Sequence, residues 1–107
     1  MSILRREIRN PTRVYLWCPG CRTSHVIAVE PHPNPWTFNG DTTKPTFQPS
    51  LLVTSSRRKA ETVCHSFVTD GQINFLPDTT AHELRGLHPI PDWPKESEPD
   101  PAWFERF

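Results

Sequence analysis

The chain has 107 residues, a formal net charge of zero and only 35% apolar residues. This length predicts one domain with a thin apolar core, which usually needs a metal, a disulfide or a partner chain to hold it together. The neutral charge removes the usual electrostatic reason to expect nucleic acid as the main partner, and no apolar run is long enough to cross a membrane.

The charge is unevenly distributed along the chain. Residues 1–22 contain five arginines and one glutamate, whereas residues 92–107 contain five acidic and two basic residues. Three interpretations stay open: the two ends are solvated, one of them attracts a partner of opposite sign, or they attract each other.

The first 29 residues predict an arm followed by a hairpin. Residues 1–11 are polar and basic and predict the arm. Residues 12–17 and 24–29 are rich in β-branched and aromatic side chains, which favour strands. The turn-forming sequence Cys18-Pro19-Gly20-Cys21 lies between these two runs. Residues 12–29 are therefore expected to form a β-hairpin with both cysteines at its tip.

The middle of the chain predicts more strands. Residues 36–39 and 45–53 are strand candidates, and Pro49 interrupts the second. Two further strand-like runs, 62–69 and 72–76, flank Asp70-Gly71, a dipeptide that tolerates the positive φ angles of a tight hairpin turn.

The last third predicts one helix and a tail. A short helix is expected at about residues 80–85, with an N-cap in residues 78–80 and Gly86 as its stop. Five prolines between residues 89 and 101 favour an extended segment. The predicted fold is therefore mainly β: a small antiparallel, two-hairpin domain at 12–88 with a zinc knuckle and one short helix, an N-terminal arm at 1–11 and a proline-rich tail at 89–107.

The three cysteines predict a structural Zn²⁺ site. Cys18 and Cys21 have the spacing of a zinc knuckle, and Cys64 offers a third thiolate. A closed tetrahedral site then needs one histidine. His82 is the preferred fourth ligand, because a helix after the second hairpin can bring it over the end of the sheet. His65 and His25 are the alternatives, although Cys64 and His65 should point to opposite faces of a regular strand.

Catalytic motifs do not appear in the sequence. G-x-S-x-G, Walker A, G-x-G-x-x-G and H-E-x-x-H are all missing, so the chain is predicted not to be an enzyme. If the zinc were catalytic instead, Asp70, Asp78 or Glu83 would be the candidate general base.

Several sequence blocks resemble a known family. These blocks are C-P-G-C from Cys18, W-x-F-N-G-D from Trp36, K-P-T-F-x-P-S-L-L-V from Lys44, C-H-S-F-V-x-D-G-x-I-x-F-L-x-D from Cys64, and H-x-L-x-G from His82. Over about residues 15–93 the chain resembles small bacteriophage and prophage proteins of unknown function, often labelled "ammonia monooxygenase". The resemblance implies a phage-encoded protein in the bacterial host cytoplasm or in the virion. It does not imply the chemistry of that label, which belongs to a membrane copper enzyme.

The tail supplies the candidate partner-binding residues. Its aromatic side chains among prolines and acids suit docking into a groove; they are Trp93, Trp103, Phe104 and Phe107. The opposing interpretation is that the tail folds back over its own sheet.

The predicted function is protein–protein interaction by a phage-encoded zinc protein, either a virion accessory component or an inhibitor of a host system. The first alternative is nucleic-acid binding through exposed tryptophans and the basic residues Arg5, Arg6, Arg9, Arg13, Arg57, Arg58 and Lys59. The second is a zinc-dependent hydrolase. Self-association into a homo-oligomer is left open.

Overall fold

Alternating β-branched and aromatic residues build two antiparallel sheets. A computed structural model describes residues 2–55 and 62–107, with only the backbone of Ser55. The strands are β1 (Arg5–Glu7), β2 (Arg13–Cys18), β3 (Thr23–Ala28), β4 (Thr37–Phe38), β5 (Phe47–Ser55), β6 (Thr62–Thr69), β7 (Gln72–Phe75), β8 (Gly86–Pro89) and β9 (Phe104–Arg106). Sheet A has the order β3-β2-β1-β9, and sheet B has the order β4-β5-β6-β7-β8. The mainly β fold class is confirmed.

Both predicted hairpins are present. The β2–β3 hairpin has the C-x-x-C sequence at its tip. The β6–β7 hairpin turns at Asp70 and Gly71, whose φ angles are 51° and 76°. The turn residues were therefore a reliable guide, because few side chains accept this left-handed conformation.

The predicted helix at about 80–85 is wrong. The backbone N–H groups of Thr80 and Ala81 both donate to the carbonyl oxygen of Val63, so this segment is bound to the edge of β6 instead of to itself. Among the described residues, the helical element is a single 3₁₀ turn at Lys95–Ser97. No helix in these ranges has the length and apolar character needed to span a bilayer.

The core lies between the two sheets. Alternate residues of β2 and β3 point inward from sheet A, and alternate residues of β5, β6 and β7 point inward from sheet B. The buried side chains are Leu4, Val14, Leu16, Cys18, Ile27, Val29, Phe47, Leu51, Cys64, Val68, Ile73, Phe75 and Ile90. The side chains of Cys18, His25 and Cys64 are also buried in this layer, in place of larger apolar residues.

The two oppositely charged ends attract each other. Strand β9 of the tail pairs with β1 of the arm and completes sheet A. The buried Arg5 guanidinium donates from Nε to Glu98 Oε1 at 2.6 Å and from Nη2 to Asp92 Oδ1 at 3.0 Å. Arg6 pairs with Glu105 at 2.6 Å. This is the third of the interpretations that the charge pattern allowed.

The tail folds back onto the protein. Trp93 packs on Trp17, Phe104 on Tyr15 and Phe107 on Phe38, with ring centroids 5.3–5.9 Å apart. Trp103 is half exposed, under the Arg9 guanidinium. Partner binding by these four aromatic residues stays a prediction. The basic residues Arg57, Arg58 and Lys59 of the nucleic-acid alternative lie outside the described residues.

Candidate active site and metal centre

Four side chains converge where the tip of the β2–β3 hairpin meets β6. The ligand atoms of Cys18, Cys21, His25 and Cys64 all lie within 4.8 Å of one another. Cys18 ends β2, Cys21 lies in the turn, His25 is on β3 and Cys64 is on β6. The cluster therefore links sheet A to sheet B.

The turn geometry is that of a knuckle. The backbone N–H of Cys21 donates to Cys18 Sγ at 3.4 Å, and the N–H of Arg22 donates to the carbonyl oxygen of Cys18 at 2.9 Å. Arg22 has a φ of 55°, which turns the chain into β3. A backbone N–H group that approaches a cysteine sulfur in this way is typical of a zinc knuckle.

The side chains of Cys18, His25 and Cys64 have shifted pKa values because they are buried against one another. Hydrogen bonds from Cys21 and Cys64 lower the pKa of the Cys18 thiol, and the same hydrogen bond to Cys18 raises the pKa of Cys64. Burial lowers the pKa of His25, but hydrogen bonds to Cys18 and Cys21 outweigh it and raise this pKa to about 9. His25 is 3% exposed, and its Nε2 has no hydrogen-bond partner among the described residues. Three thiols around an unpartnered buried imidazole nitrogen fit a closed S₃N zinc site.

His82 lies beside this cluster, outside the group of four. Its Nε2 is 3.6 Å from Cys64 Sγ, and its Nδ1 accepts a hydrogen bond from the N–H of Leu84 at 3.2 Å. Since Nδ1 is an acceptor, the proton of a neutral ring is on Nε2, directed at the Cys64 sulfur. The ring covers Gly20 so closely that a Cβ there would be 2.2 Å from Nε2. The structure thus groups the alternative His25, and not His82, with the three cysteines.

A second constellation is centred on His65. His65 follows Cys64 on β6 and points to the opposite face of sheet B, as alternation requires. Its Nε2 is 2.9 Å from Ser50 Oγ, and its Nδ1 is 2.9 Å from Asp78 Oδ2. A hydroxyl, an imidazole and a carboxylate in this order have the geometry of a Ser-His-Asp triad.

Local irregularities of sheet B place the two partners of His65. The ladder between β5 and β6 is interrupted between Phe47 and Leu51, and Ser50 lies in this interruption. Asp78 follows β7 and precedes Thr79, which is 1% exposed. The Thr79 hydroxyl accepts from the N–H of His65 at 3.1 Å and donates to the carbonyl oxygen of His65 at 3.0 Å. Thr79 therefore holds the segment carrying Asp78 against the backbone of the histidine.

The triad is partly accessible to solvent. The His65 side chain is 24% exposed and that of Asp78 is 60% exposed. A substrate can therefore approach Ser50 and His65 from the outer face of sheet B. Exposure of the carboxylate means that water weakens its electrostatic effect on the imidazole.

Sequence reasoning found parts of this site in other roles. His65 was an alternative zinc ligand and Asp78 a candidate base of a metal-dependent hydrolase, but Ser50 was missed. The residues of a triad meet only in space, and their order along the chain differs between folds, so no spacing rule joins residues 50, 65 and 78. The available signal was the resemblance itself, because all three residues lie within its sequence blocks.

Comparison with known proteins identifies a bacterial family and gives no support for a phage origin. Residues 2–76, well over half of the chain, match the family described as "Bacterial ubiquitination-like system serine protease (BubE)". No match was found among curated proteins or among solved structures.

This match overturns two predictions. A family named as a serine protease contradicts the prediction that the chain is not an enzyme. A bacterial ubiquitination-like system likewise contradicts a phage protein that acts by protein–protein interaction. The first error came from the search for catalytic motifs with fixed local spacing, which a triad assembled from three separate segments does not have. The second came from the resemblance to phage proteins and from the aromatic residues of the tail. By the extent of the match, the chain belongs to the BubE family, the serine proteases of bacterial ubiquitination-like systems.

Proposed function

We propose that this protein is a serine hydrolase whose nucleophile is Ser50. The observation that carries this proposal is the pair of 2.9 Å contacts that joins Ser50 Oγ to His65 Nε2 and His65 Nδ1 to Asp78 Oδ2. A hydroxyl is a weak nucleophile, and an adjacent base that removes its proton as it attacks makes it effective.

The reaction follows from these contacts. Ser50 Oγ attacks the carbonyl carbon of the substrate while its proton passes to His65 Nε2. The protonated imidazole then gives this proton to the leaving group, which departs as the acyl–Ser50 ester forms. Water, deprotonated by the same His65 nitrogen, hydrolyses the ester and restores Ser50. Asp78 keeps the Nδ1 proton in place, so that Nε2 is free to act as the base, and stabilises the imidazolium.

The substrate is proposed to be a protein of a bacterial ubiquitination-like system, because the matching family is described as the serine protease of such a system. Action in the bacterial cytoplasm is supported by three free cysteines, which a reducing compartment preserves.

The test is covalent labelling with a fluorophosphonate, which reacts with activated serine hydroxyls. We expect peptide mass spectrometry to find the label on Ser50. Ser50→Ala and His65→Ala should each reduce the labelling rate to background, because the hydroxyl and its base act as a unit. Ser24→Ala, on sheet A, is the matched control and should label at the wild-type rate. Labelling that persists in Ser50→Ala would refute the assignment.

We further propose that Zn²⁺ is held by Cys18, Cys21, His25 and Cys64. When bound, the ion supplies a cross-link between the two sheets, and the protein ligands leave it no open position for water. His82 is then a hydrogen-bond donor to the Cys64 sulfur, the kind of outer contact that orients a metal ligand.

Metal analysis distinguishes the two histidines. His25→Ala removes a ligand and should lower the zinc content of the purified protein well below one ion per chain. His82→Ala removes only a hydrogen bond to a ligand, so we expect full occupancy with about 10-fold to 100-fold weaker affinity in a competition with a chelator. The opposite ranking of the two variants would make His82 the fourth ligand.

A further inference from the structure

The face of sheet B that carries His65 is apolar and exposed beyond the triad. Leu52, Phe67 and Leu87 are 59%, 44% and 63% exposed. Large apolar side chains that cluster on a surface mark a site where another molecule binds.

The strand register places these three side chains on the same face of sheet B as His65. Leu52 is the direct partner of His65 in the β5–β6 ladder. Phe67 lies two residues after His65 on the same face of β6. Asn74 pairs with Phe67 on one side and with Leu87 on the other, so Phe67 and Leu87 belong to one row across β6, β7 and β8.

The described strand positions of this face are also uncharged. In the described strands, the positions that share the outer face with His65 on β5–β8 are Leu52, Thr54, Val63, Phe67, Thr69, Gln72, Asn74, Leu87 and Pro89. None of these side chains carries a charge. The triad adds one charged group to this surface, the carboxylate of Asp78. A charged substrate segment lying over these strand positions would lose hydration and find no ionic partner among them.

We infer that this face binds an extended, uncharged apolar segment of the substrate protein and presents its scissile carbonyl to Ser50. The inference rests on the proposed function, because it takes the position of the reacting carbonyl from Ser50 Oγ. Ser50 Oγ is hydrogen-bonded to His65 on this face. The substrate residues on either side of the reacting carbonyl must therefore lie over the apolar side chains next to His65. Neighbouring strands are about 4.8 Å apart, so the row from β6 to β8 spans about 10 Å. Three extended residues have this length.

We assign the substrate protein to this face because the face is continuous with the triad. A substrate bound elsewhere would have to reach Ser50 across this uncharged surface. Specificity then comes from apolar contacts, each of which gives about a 10-fold difference when a side chain of leucine or phenylalanine size is removed.

The experiment compares two fluorophosphonates that share the reactive group and differ in the attached chain: n-decyl in one and a tri(ethylene glycol) chain of similar length in the other. The second-order rate constant for modification of Ser50 is measured for each. We expect wild-type protein to react at least about 10-fold faster with the decyl probe. Phe67→Ser and Leu87→Ser should each reduce this preference several-fold by lowering the rate with the decyl probe more than the rate with the glycol probe.

Val26→Ser is the matched control, since Val26 is 54% exposed on sheet A. It should keep the wild-type preference. Equal rates for the two probes in the wild type, or a preference that survives both Phe67→Ser and Leu87→Ser, would overturn the inference but leave the nucleophile assignment intact. If neither probe modifies wild-type Ser50, the proposed function fails and the inference falls with it.

Sedimentation of the same variants tests the other occupant of an apolar face, a second copy of this chain. A wild-type dimer that Phe67→Ser converts to a monomer, with no change in probe preference, would assign the face to self-association and refute substrate binding. A single oligomeric state in all variants, together with a reduced decyl preference, supports the inference.

Discussion

Two adjacent residues, Cys64 and His65, serve two different sites. The side chain of Cys64 points into the layer between the sheets and meets Cys18, Cys21 and His25. The side chain of His65 points outward and meets Ser50 and Asp78. Strand alternation is the whole reason for this division, because successive side chains of a strand point to opposite faces.

Asp78 can be tested by a substitution that keeps its shape. Asp78→Asn keeps the shape of the side chain but removes the charge and the preference for a proton on His65 Nδ1. Such a change lowers kcat by about 10⁴-fold in a buried triad. We expect a smaller loss, about 10²-fold to 10³-fold, because the Asp78 side chain is 60% exposed and water screens it. The measurement is the rate of Ser50 labelling and of ester hydrolysis in the two proteins.

Thr79→Val serves as the comparison for Asp78→Asn. Its hydroxyl holds the backbone of His65 and makes no contact with the imidazole. Loss of the hydroxyl should lower the melting temperature, whereas Asp78→Asn should leave it nearly unchanged. Equal labelling rates for wild type and Asp78→Asn would remove Asp78 from the triad.

At the scale of elements, β6 is the strand on which both sites depend. It contributes Cys64 to the metal centre and His65 to the triad, and it pairs with β5, which carries Ser50. The β2–β3 hairpin reaches β6 through the cysteine cluster. Metal bound there would therefore hold the backbone beside the catalytic base.

Removal of the metal is expected to impair both stability and reactivity. A strong chelator, or Cys64→Ala, should lower the melting temperature or cause aggregation, since a thin core loses its cross-link. Ser50 labelling should fall in parallel. The readouts are calorimetry and labelling of one sample before and after chelation, with zinc added back as the control. An unchanged melting temperature after complete zinc loss would refute a structural role.

At the scale of the whole molecule, the arm and the tail close the fold. Arg5 is buried against Asp92 and Glu98, and β9 pairs with β1. The pKa of Glu98 is below its ordinary value of 4.5, mainly because Arg5 donates to it. Burial raises the pKa of Asp92, but hydrogen bonds from the Trp93 backbone and from Arg5 bring it below its ordinary 3.8.

These lowered pKa values predict loss of stability in acid. A carboxyl whose pKa is lower in the folded state contributes its full stabilisation above the ordinary pKa, and this stabilisation is lost as the pH falls through the folded value. The melting temperature should therefore decline as the pH falls below about 4.5. The measurement is a series of thermal melts between neutral pH and pH 3.

The control for the acid series is a pair of charge-removing variants. Glu98→Gln should have a lower melting temperature at neutral pH and a weaker dependence on acid, because the carboxylate bound by buried Arg5 is gone. Glu105→Gln, which alters the exposed pair with Arg6, should retain the wild-type dependence. Identical acid profiles for wild type and Glu98→Gln would show that the tail contact does not depend on this charge.

Local chemistry along the chain specifies the turns and most of the strands. Asp70-Gly71 and Cys18-Pro19-Gly20-Cys21 predicted both hairpin turns, and β-branched residues predicted most strands, because backbone preferences act within a few residues. The sequence also predicted that Cys18, Cys21 and Cys64 lie close together, as they do in the structure. The helix at about 80–85 failed, since the carbonyl group of Val63, distant in sequence, binds that segment.

Contacts between residues that are distant in sequence became visible in the folded structure. It placed His25 and not His82 among the cysteines, it brought the acidic tail to Arg5, and it joined Ser50, His65 and Asp78. Each of these contacts joins segments that are distant in sequence, and the contact of Ser50 with His65 also depends on the interruption of the β5–β6 ladder. No local pattern encodes such a contact, so a chain without a catalytic sequence motif can still carry a catalytic site.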